Sequence, residues 1–410
     1  MTIELDVPAM PVERQRLLDP PMAYYHLREE QPITRIRFPS GRIGWLVTRF
    51  EEGSQAFSDP RMSSARPRHD VPPEEGVDPN SNDTSEAVDP TFVFMDEPDH
   101  SAYRRLLSGR FTPKAVQTRL QPYIDQIVTE HLDTIEALGS DGEPVDLIEH
   151  LALPIPCLVI CELLGVPYAD RDKFHHATEA MMDTSRTRAE RAEGGLWLRD
   201  YITTLVAEKR ADPASEGLLA DLIRSSQEEG SILTDNDLVS IGVLLLFAGH
   251  DTTMAMIGLS TLTLLTHPEA RQNLVEHPDK VGPAVEELLR YLTIVQFGLG
   301  RTAKEDLEIG GQQIAKGDLV VVAMPAANRD PRVFDNPDEP DFDRKITRHL
   351  AFGYGVHQCL GQNVARAELK TILPQLFTRF PELRLATPLD QVEMDTYGTN
   401  YGVRKLLATW

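Results

Sequence analysis

Cys359 lies in FGYGVHQCLG, residues 352–361, two positions after His357 on a loop that contains Gly353 and Gly355. A thiolate there could serve as a nucleophile or as a metal ligand. A second stretch, AGHDTT at 248–253, sets a carboxylate, Asp251, beside an alcohol, Thr252, after a strongly apolar run. Such a pair can pass protons, or it can be a solvated polar notch in a buried helix. In EELLR, 286–290, Glu287 and Arg290 stand three apart and share a helix face. Most pairs of that kind are surface bridges worth a few tenths of a kcal/mol. In MDEPDHSAYRRL, 95–106, His100 and Arg104 stand four apart just after Pro98. They could meet an anion or simply solvate a helix start.

The elements that must position these residues are mostly helical. Thr234 followed by Asp237 is an acidic variant of the capping box. The next proline is Pro268, so a helix of about thirty residues, well beyond the average, carries AGHDTT in its middle. Gly249 costs about 1 kcal/mol relative to alanine there, and a threonine can bond back to a carbonyl one turn earlier, bending or opening the helix. From Leu360, LGQNVARAELKTILPQLF is a periodic helix whose first amides would stabilise a thiolate at Cys359. Residues 307–323, LEIGGQQIAKGDLVVVA, predict a strand, a Gly-Gly turn and a β-branched strand. LRLA and VRKLLATW near the end predict edge strands, while 66–91 and 328–348 predict irregular loops. Cys157 and Cys161 read as core, His175 and His176 as solvated, and His250 as a structural hydrogen-bonding residue.

The whole chain narrows the function. Its 410 residues carry a net charge of −23, which excludes a nucleic-acid binder. The start, MTIELDVPAMPVERQRLLDPP, has no apolar core of a signal peptide, and IGVLLLFAG at 241–249 is too short to span a bilayer. Three cysteines make no disulfide framework and suit a reducing cytoplasm.

For Cys359, no Asn or Asp partner completes a catalytic set with His357, and no CxxC or further His/Cys pair supports zinc. A lone thiolate suits haem iron, whose macrocycle supplies the other four bonds. FGYGVHQCLG resembles the FGxGxHxCxG haem-ligand signature of the cytochrome P-450 superfamily. AGHDTT resembles its oxygen-binding helix motif, and Glu287 with Arg290 its ExxR pair. The motifs come in the family's order across essentially the whole chain. LPIPCLVICELLGVP (153–167) and HLAFGYG (349–355) are most similar to the soluble actinobacterial members that tailor natural products.

The resemblance implies a mostly α fold with small β-sheets: the cytochrome P-450 fold, a triangular helical body with a minor β region. The expected single domain, 1–410, has β-rich parts at 30–60, 293–325 and 383–410 and helical parts at 95–290 and 360–378. Haem b is implied between the long central helix and the cysteine loop, with Cys359 as proximal thiolate. His100, Arg104, Arg301 and His357 match residues that bind the haem propionates. Ala248, Gly249, Phe352, Gly353 and Gly361 match haem neighbours, the first two opening a groove for oxygen. Thr252 would hydrogen-bond that oxygen while Asp251 relays protons through water. Glu287, Arg290 and Arg344 match a buried structural triad. Leu244, Leu245, Val295, Gln296, Phe297, Thr399 and Asn400 match pocket positions, implying a mostly hydrophobic polyketide, terpenoid or steroid-like substrate. Pro340 departs from the apolar residue many relatives place there.

The implied activity inserts one oxygen atom from O2, by hydroxylation or epoxidation, in a cytoplasmic monomer. Electrons would come from NAD(P)H through ferredoxin reductase and ferredoxin. The alternative is a peroxide-driven or oxidative-coupling haem-thiolate enzyme, or a haem-based binder; the intact Asp251–Thr252 pair favours the first. Ferredoxins are acidic, so a basic island is expected from Arg105, Arg110, Lys345, Arg348, Arg366 and Lys370.

Overall fold

The computed structural model describes residues 7–65, 91–182, 186–345, 348–396 and 398–410. The loop expected at 66–91 lies, apart from Thr91, outside them. The described chain divides into two compact units, one holding the residues up to Ala102 with Glu286–Cys359, the other Tyr103–Val285 with Leu360–Trp410.

In the first unit the run Leu319–Val322 is a strand at the middle of a five-stranded sheet. The spatial order is Ile33–Arg37, Ile43–Val47, Leu319–Val322, Leu299–Ala303, Met62–Ser63. Only the pairing that sets Trp45 opposite Val320 is parallel; such a neighbour must come from a remote part of the chain. The two-residue period sends Val321 into one apolar cluster with Ile36, Leu46 and Phe297, and Val320 and Val322 into another with Val47, Phe50 and Phe57. That is why the run is apolar throughout rather than alternating. Leu307–Ile309 and Gln312–Ile314 form the expected hairpin, turning on Gly310 and Gly311.

The second unit is built round the helix Asp235–Thr266, 32 residues long. Its start is the capping box read from the sequence: Asp237 N–H donates to Thr234 Oγ1 at 3.2 Å, and Thr234 N–H donates to Asp237 Oδ2 at 2.8 Å. The helix continues unbroken through AGHDTT. Three glycines admit three isoleucines: a Cβ on Gly242, Gly249 or Gly258 would come within 2.7, 2.9 and 2.8 Å of Ile202, Ile160 and Ile148. At Gly249 the missing Cβ makes room for Ile160 of the helix Pro154–Leu164.

The apolar run resumes after AGHDTT, so the complete helix, unlike IGVLLLFAG alone, is long and apolar enough to cross a membrane. More than half of that stretch is buried, and it packs on Pro154–Leu164, Arg188–Ala211 and Gln362–Arg379, as a core helix does. Cys157 and Cys161 are core residues, His250 is buried and His176 is exposed; the His175 side chain lies outside the described residues. One edge-strand expectation is also corrected. Leu407–Thr409 lies between Val145–Asp146 and Arg384–Leu385 in a three-stranded sheet. Its partner Val145–Asp146 is only two residues long, too short for a sequence period to show. Gly402–Lys405 pairs instead with Glu393–Asp395.

Candidate active site

In the first unit, Cys359 N–H donates to Phe352 O at 2.9 Å and closes the cysteine loop. Inside it Gly353 and Gly355 take φ of +69° and +76°, a region that strains other residues. A Cβ on Gly355 would also lie 2.9 Å from Phe57 O, so only glycine lets the loop rest on the helix Phe50–Ser58. The loop is anchored upstream where Leu350 N–H donates to Asn328 Oδ1 at 2.7 Å. Phe352 sets its ring 5.9 Å from that of His349. Cys359 is exposed, whereas Cys157 and Cys161 are buried. A hydrogen bond with Cys157, then burial, push the Cys161 thiol up, which leaves it inert.

His100 begins the helix Asp99–Ser108 and is 1% exposed, its ring 3.9 Å from that of His357. Nδ1 lies 3.2 Å from Glu97 Oε1, and Nε2 is buried with no hydrogen-bond partner among the described residues. Hydrogen bonds from Ser101 and then His100 hold the Glu97 carboxyl below its usual range. A proton on Nε2 would find its partner in an anion placed there. Arg301 is buried, donates to Gly300 O at 2.9 Å and lies over the Phe57 ring at 5.2 Å.

The ExxR pair is wholly enclosed. Arg290 Nε and Nη2 donate to the two Glu287 oxygens at 2.7 Å each, and Nη1 donates to Asn328 O at 2.7 Å and Pro337 O at 2.9 Å. Arg344 Nε donates to Glu287 Oε1 at 3.0 Å, as does Asp341 N–H at 2.9 Å. Val295 is half-buried, Gln296 is buried, and Phe297 is packed into the sheet's apolar cluster.

In the second unit, Leu244, Ala248 and Thr252 stand four apart on one helix face. Ala248 is exposed and the other two are half-buried, in the middle of a core helix; Leu245 is buried. Thr252 Oγ1 donates to Ala248 O at 2.7 Å, the back-bond foreseen, which leaves its lone pairs to accept on that uncovered face. Asn400 Nδ2 donates to Asp251 Oδ2 at 2.7 Å. Arg104, Gly361 and Thr399 are half-buried.

A profile of the family described as Cytochrome P450 matches residues 197–398. Over its full length the chain is 40% identical to cytochrome P450 105A3 of Streptomyces carbophilus, covering 99% of this chain and 96% of that protein. The chain belongs to the cytochrome P450 family. It is 41% identical to pentalenic acid synthase of Streptomyces avermitilis, covering 98% of this chain and 97% of that one. The crystal structure of CYP105P1 in complex with filipin I superposes with a TM-score of 0.90 at 39% identity, covering 99% of both chains. The protein is therefore an oxidoreductase, a bacterial P450 monooxygenase with the P450 fold, of the actinobacterial tailoring type.

Haem is the cofactor of P450s, and the residues present fit it. One exposed thiol stands on a loop shaped by two left-handed glycines, and a buried ring nitrogen, His100 Nε2, has no hydrogen-bond partner among the described residues. A propionate supplies such a partner. An uncovered stripe on an otherwise apolar core helix suits a flat apolar group. Among the described residues no three His, Cys, Asp or Glu gather into a protein-only metal site.

Sequence reasoning missed Glu97, Asn328 and the bond between Asn400 and Asp251. Each acts through a partner distant in sequence or through a common local acid, so no motif marks it. Of the expected basic island, Arg110 is paired with Asp221 and Arg348 with Glu51, Arg366 donates to the neutral Gln362, and Arg105, Lys345 and Lys370 are exposed. A groove of about 460 Å³ in the second unit is lined by Lys114 and Arg119 together with the Arg110–Asp221 pair. Desolvation, then the charges of Arg119 and Arg224, lower the Arg110 pKa.

Proposed function

We propose that this P450 binds haem b through Cys359, with His100, His357, Arg104 and Arg301 on the propionates. In this reading it hydroxylates or epoxidises a mostly hydrophobic natural product in the cytoplasm, as a monomer. Haem when bound supplies the oxygen-activating chemistry; the protein's own part is to deliver protons and shape the substrate's surroundings. The observation that carries the reading is Thr252, whose hydroxyl is turned back on Ala248 O and therefore presents an acceptor on a helix face where Ala248 is exposed and Leu244 and Thr252 are half-buried. Asp251 beside it is an acid able to exchange protons with water. Leu244 and Val295 offer apolar contacts and Gln296 one polar group, which supports a polyketide, terpenoid or steroid-like substrate. Electrons come from an acidic ferredoxin, itself reduced by NAD(P)H through a reductase, and the groove that carries Lys114 and Arg119 is its landing surface.

The test is Thr252→Ala. Haem content should be unchanged, while hydrogen peroxide released per NADPH consumed rises several-fold, because a proton-transfer step worth about 10²–10⁴-fold in rate is impaired. Wild-type peroxide yield in this variant would contradict the reading.

A further inference from the structure

We propose that Asn400 is a positioning residue for proton delivery, holding the Asp251 carboxylate, rather than a contact for substrate. The proposal rests on the relay role given to Asp251 above. Asn400 is 8% exposed, and its amide donates to Asp251 Oδ2 at 2.7 Å across 149 residues of sequence. The segment that carries it is tied to the long helix over two turns. A Cβ on Gly402 would lie 3.2 Å from Ala255 Cβ, and one on Gly258 would lie 3.5 Å from Val403 Cβ. Asp251, Ala255 and Gly258 share a helix face, so the strand Gly402–Lys405 runs along that face and delivers Asn400 to the acid. The turn before it is fixed too: Gly398 N–H donates to Asp395 Oδ1 at 3.1 Å, and Asp395 pairs with Gly402 across the hairpin.

The choice of an amide has chemical consequences. An N–H donor favours the ionised carboxylate and fixes its orientation. Unlike a lysine or arginine, the amide itself adds no opposite charge to the site. Because the same hairpin carries Thr399, matched to the substrate pocket, anything that shifts the hairpin also shifts the acid.

Three variants test this in the haem-loaded enzyme: Asn400→Asp, Asn400→Ala and Asp251→Ala, with the double Asn400→Ala/Asp251→Ala. The reaction needs no substrate. NADPH, O2 and a surrogate plant-type ferredoxin with its reductase are supplied, and peroxide per NADPH and the solvent deuterium isotope effect are read. Asn400→Asp keeps size and shape but sets two carboxylates together, so it should raise both quantities more than Asn400→Ala does. In the Asp251→Ala background Asn400→Ala should change neither. In urea unfolding the two alanine variants should be non-additive by about tenfold in the unfolding constant, as expected for a hydrogen bond to a charged group. A pure substrate-contact role predicts no effect of either Asn400 variant on peroxide yield or isotope effect in this substrate-free reaction. If Asp251→Ala behaves as wild type, the relay reading itself falls. If Asp251→Ala is defective but Asn400→Asp is silent, or unfolding is additive, this proposal alone is overturned.

Discussion

Glu368 shows how little a single letter reveals of its state. In ARAELKTIL it reads as an ordinary acid on a periodic helix, yet it is 1% exposed and its Oε2 has no hydrogen-bond partner among the described residues. Burial raises its pKa well above the usual carboxylate range, so it folds as the neutral acid. An unfolded glutamate titrates near about 4.3. Between that pH and the raised folded value the native state binds more protons than the unfolded chain, so this group's contribution to stability declines as pH rises. Glu368→Gln, which keeps the shape and cannot ionise, should therefore be more stable than the parent at pH 7.5, by roughly 1.4 kcal/mol for each pKa unit removed. The gap should close as pH falls toward 4.3, roughly the unfolded pKa. Urea unfolding at several pH values checks this; a gap that does not vary with pH contradicts it. Legibility at this scale follows from locality. Cys359, His357, Asp251 and Thr252 stand out as candidates because their motifs are written in adjacent letters. The burial of Glu368 and the grip of Asn400 on Asp251 were not, because remote elements create both.

At the scale of elements, local signals were read well and packing was not. Thr234, Asp237 and Pro268 marked the ends of the long helix, and Gly310-Gly311 marked a hairpin turn. The EELLR pair, taken by itself, had the look of a surface bridge. The structure instead buries Glu287 and Arg290 completely and adds Arg344 and the Asp341 amide to the same carboxylate. Spacing alone gives the pair, but only the segment around 328–345, folding over it, supplies the burial. Desolvation lowers the Arg290 pKa without discharging a guanidinium, so the pair is a true buried ion pair. Removing one partner from such a pair typically costs about 3–5 kcal/mol. Glu287→Gln should lose stability on that scale, measured by denaturant unfolding, and should retain less haem. A loss below about 1 kcal/mol, the value of an exposed pair, would show that the network is incidental.

For the whole molecule, charge is the legible quantity and its distribution is not. A net charge of −23 opposes an acidic electron donor, so docking needs a local cationic surface. The sequence suggested cations flanking the cysteine, but Arg110 and Arg348 have acidic partners that only the fold brings near. Lys114 and Arg119 are exposed on the groove they share with Arg110. Lys114→Glu combined with Arg119→Glu should slow reduction by ferredoxin at low ionic strength and leave peroxide-supported turnover alone. The gap should narrow by 0.15 M salt, where screening acts over about 8 Å. Equal stopped-flow reduction rates for variant and parent at low salt would place the donor elsewhere.

Everything in the account depends on one sulfur. The reduced protein under carbon monoxide should show the absorption band near about 450 nm that gives P450s their name, the mark of thiolate-ligated haem. In Cys359→His that band should be gone, replaced by one at the position of imidazole-ligated haem. A band unchanged in the Cys359→His protein would contradict the account.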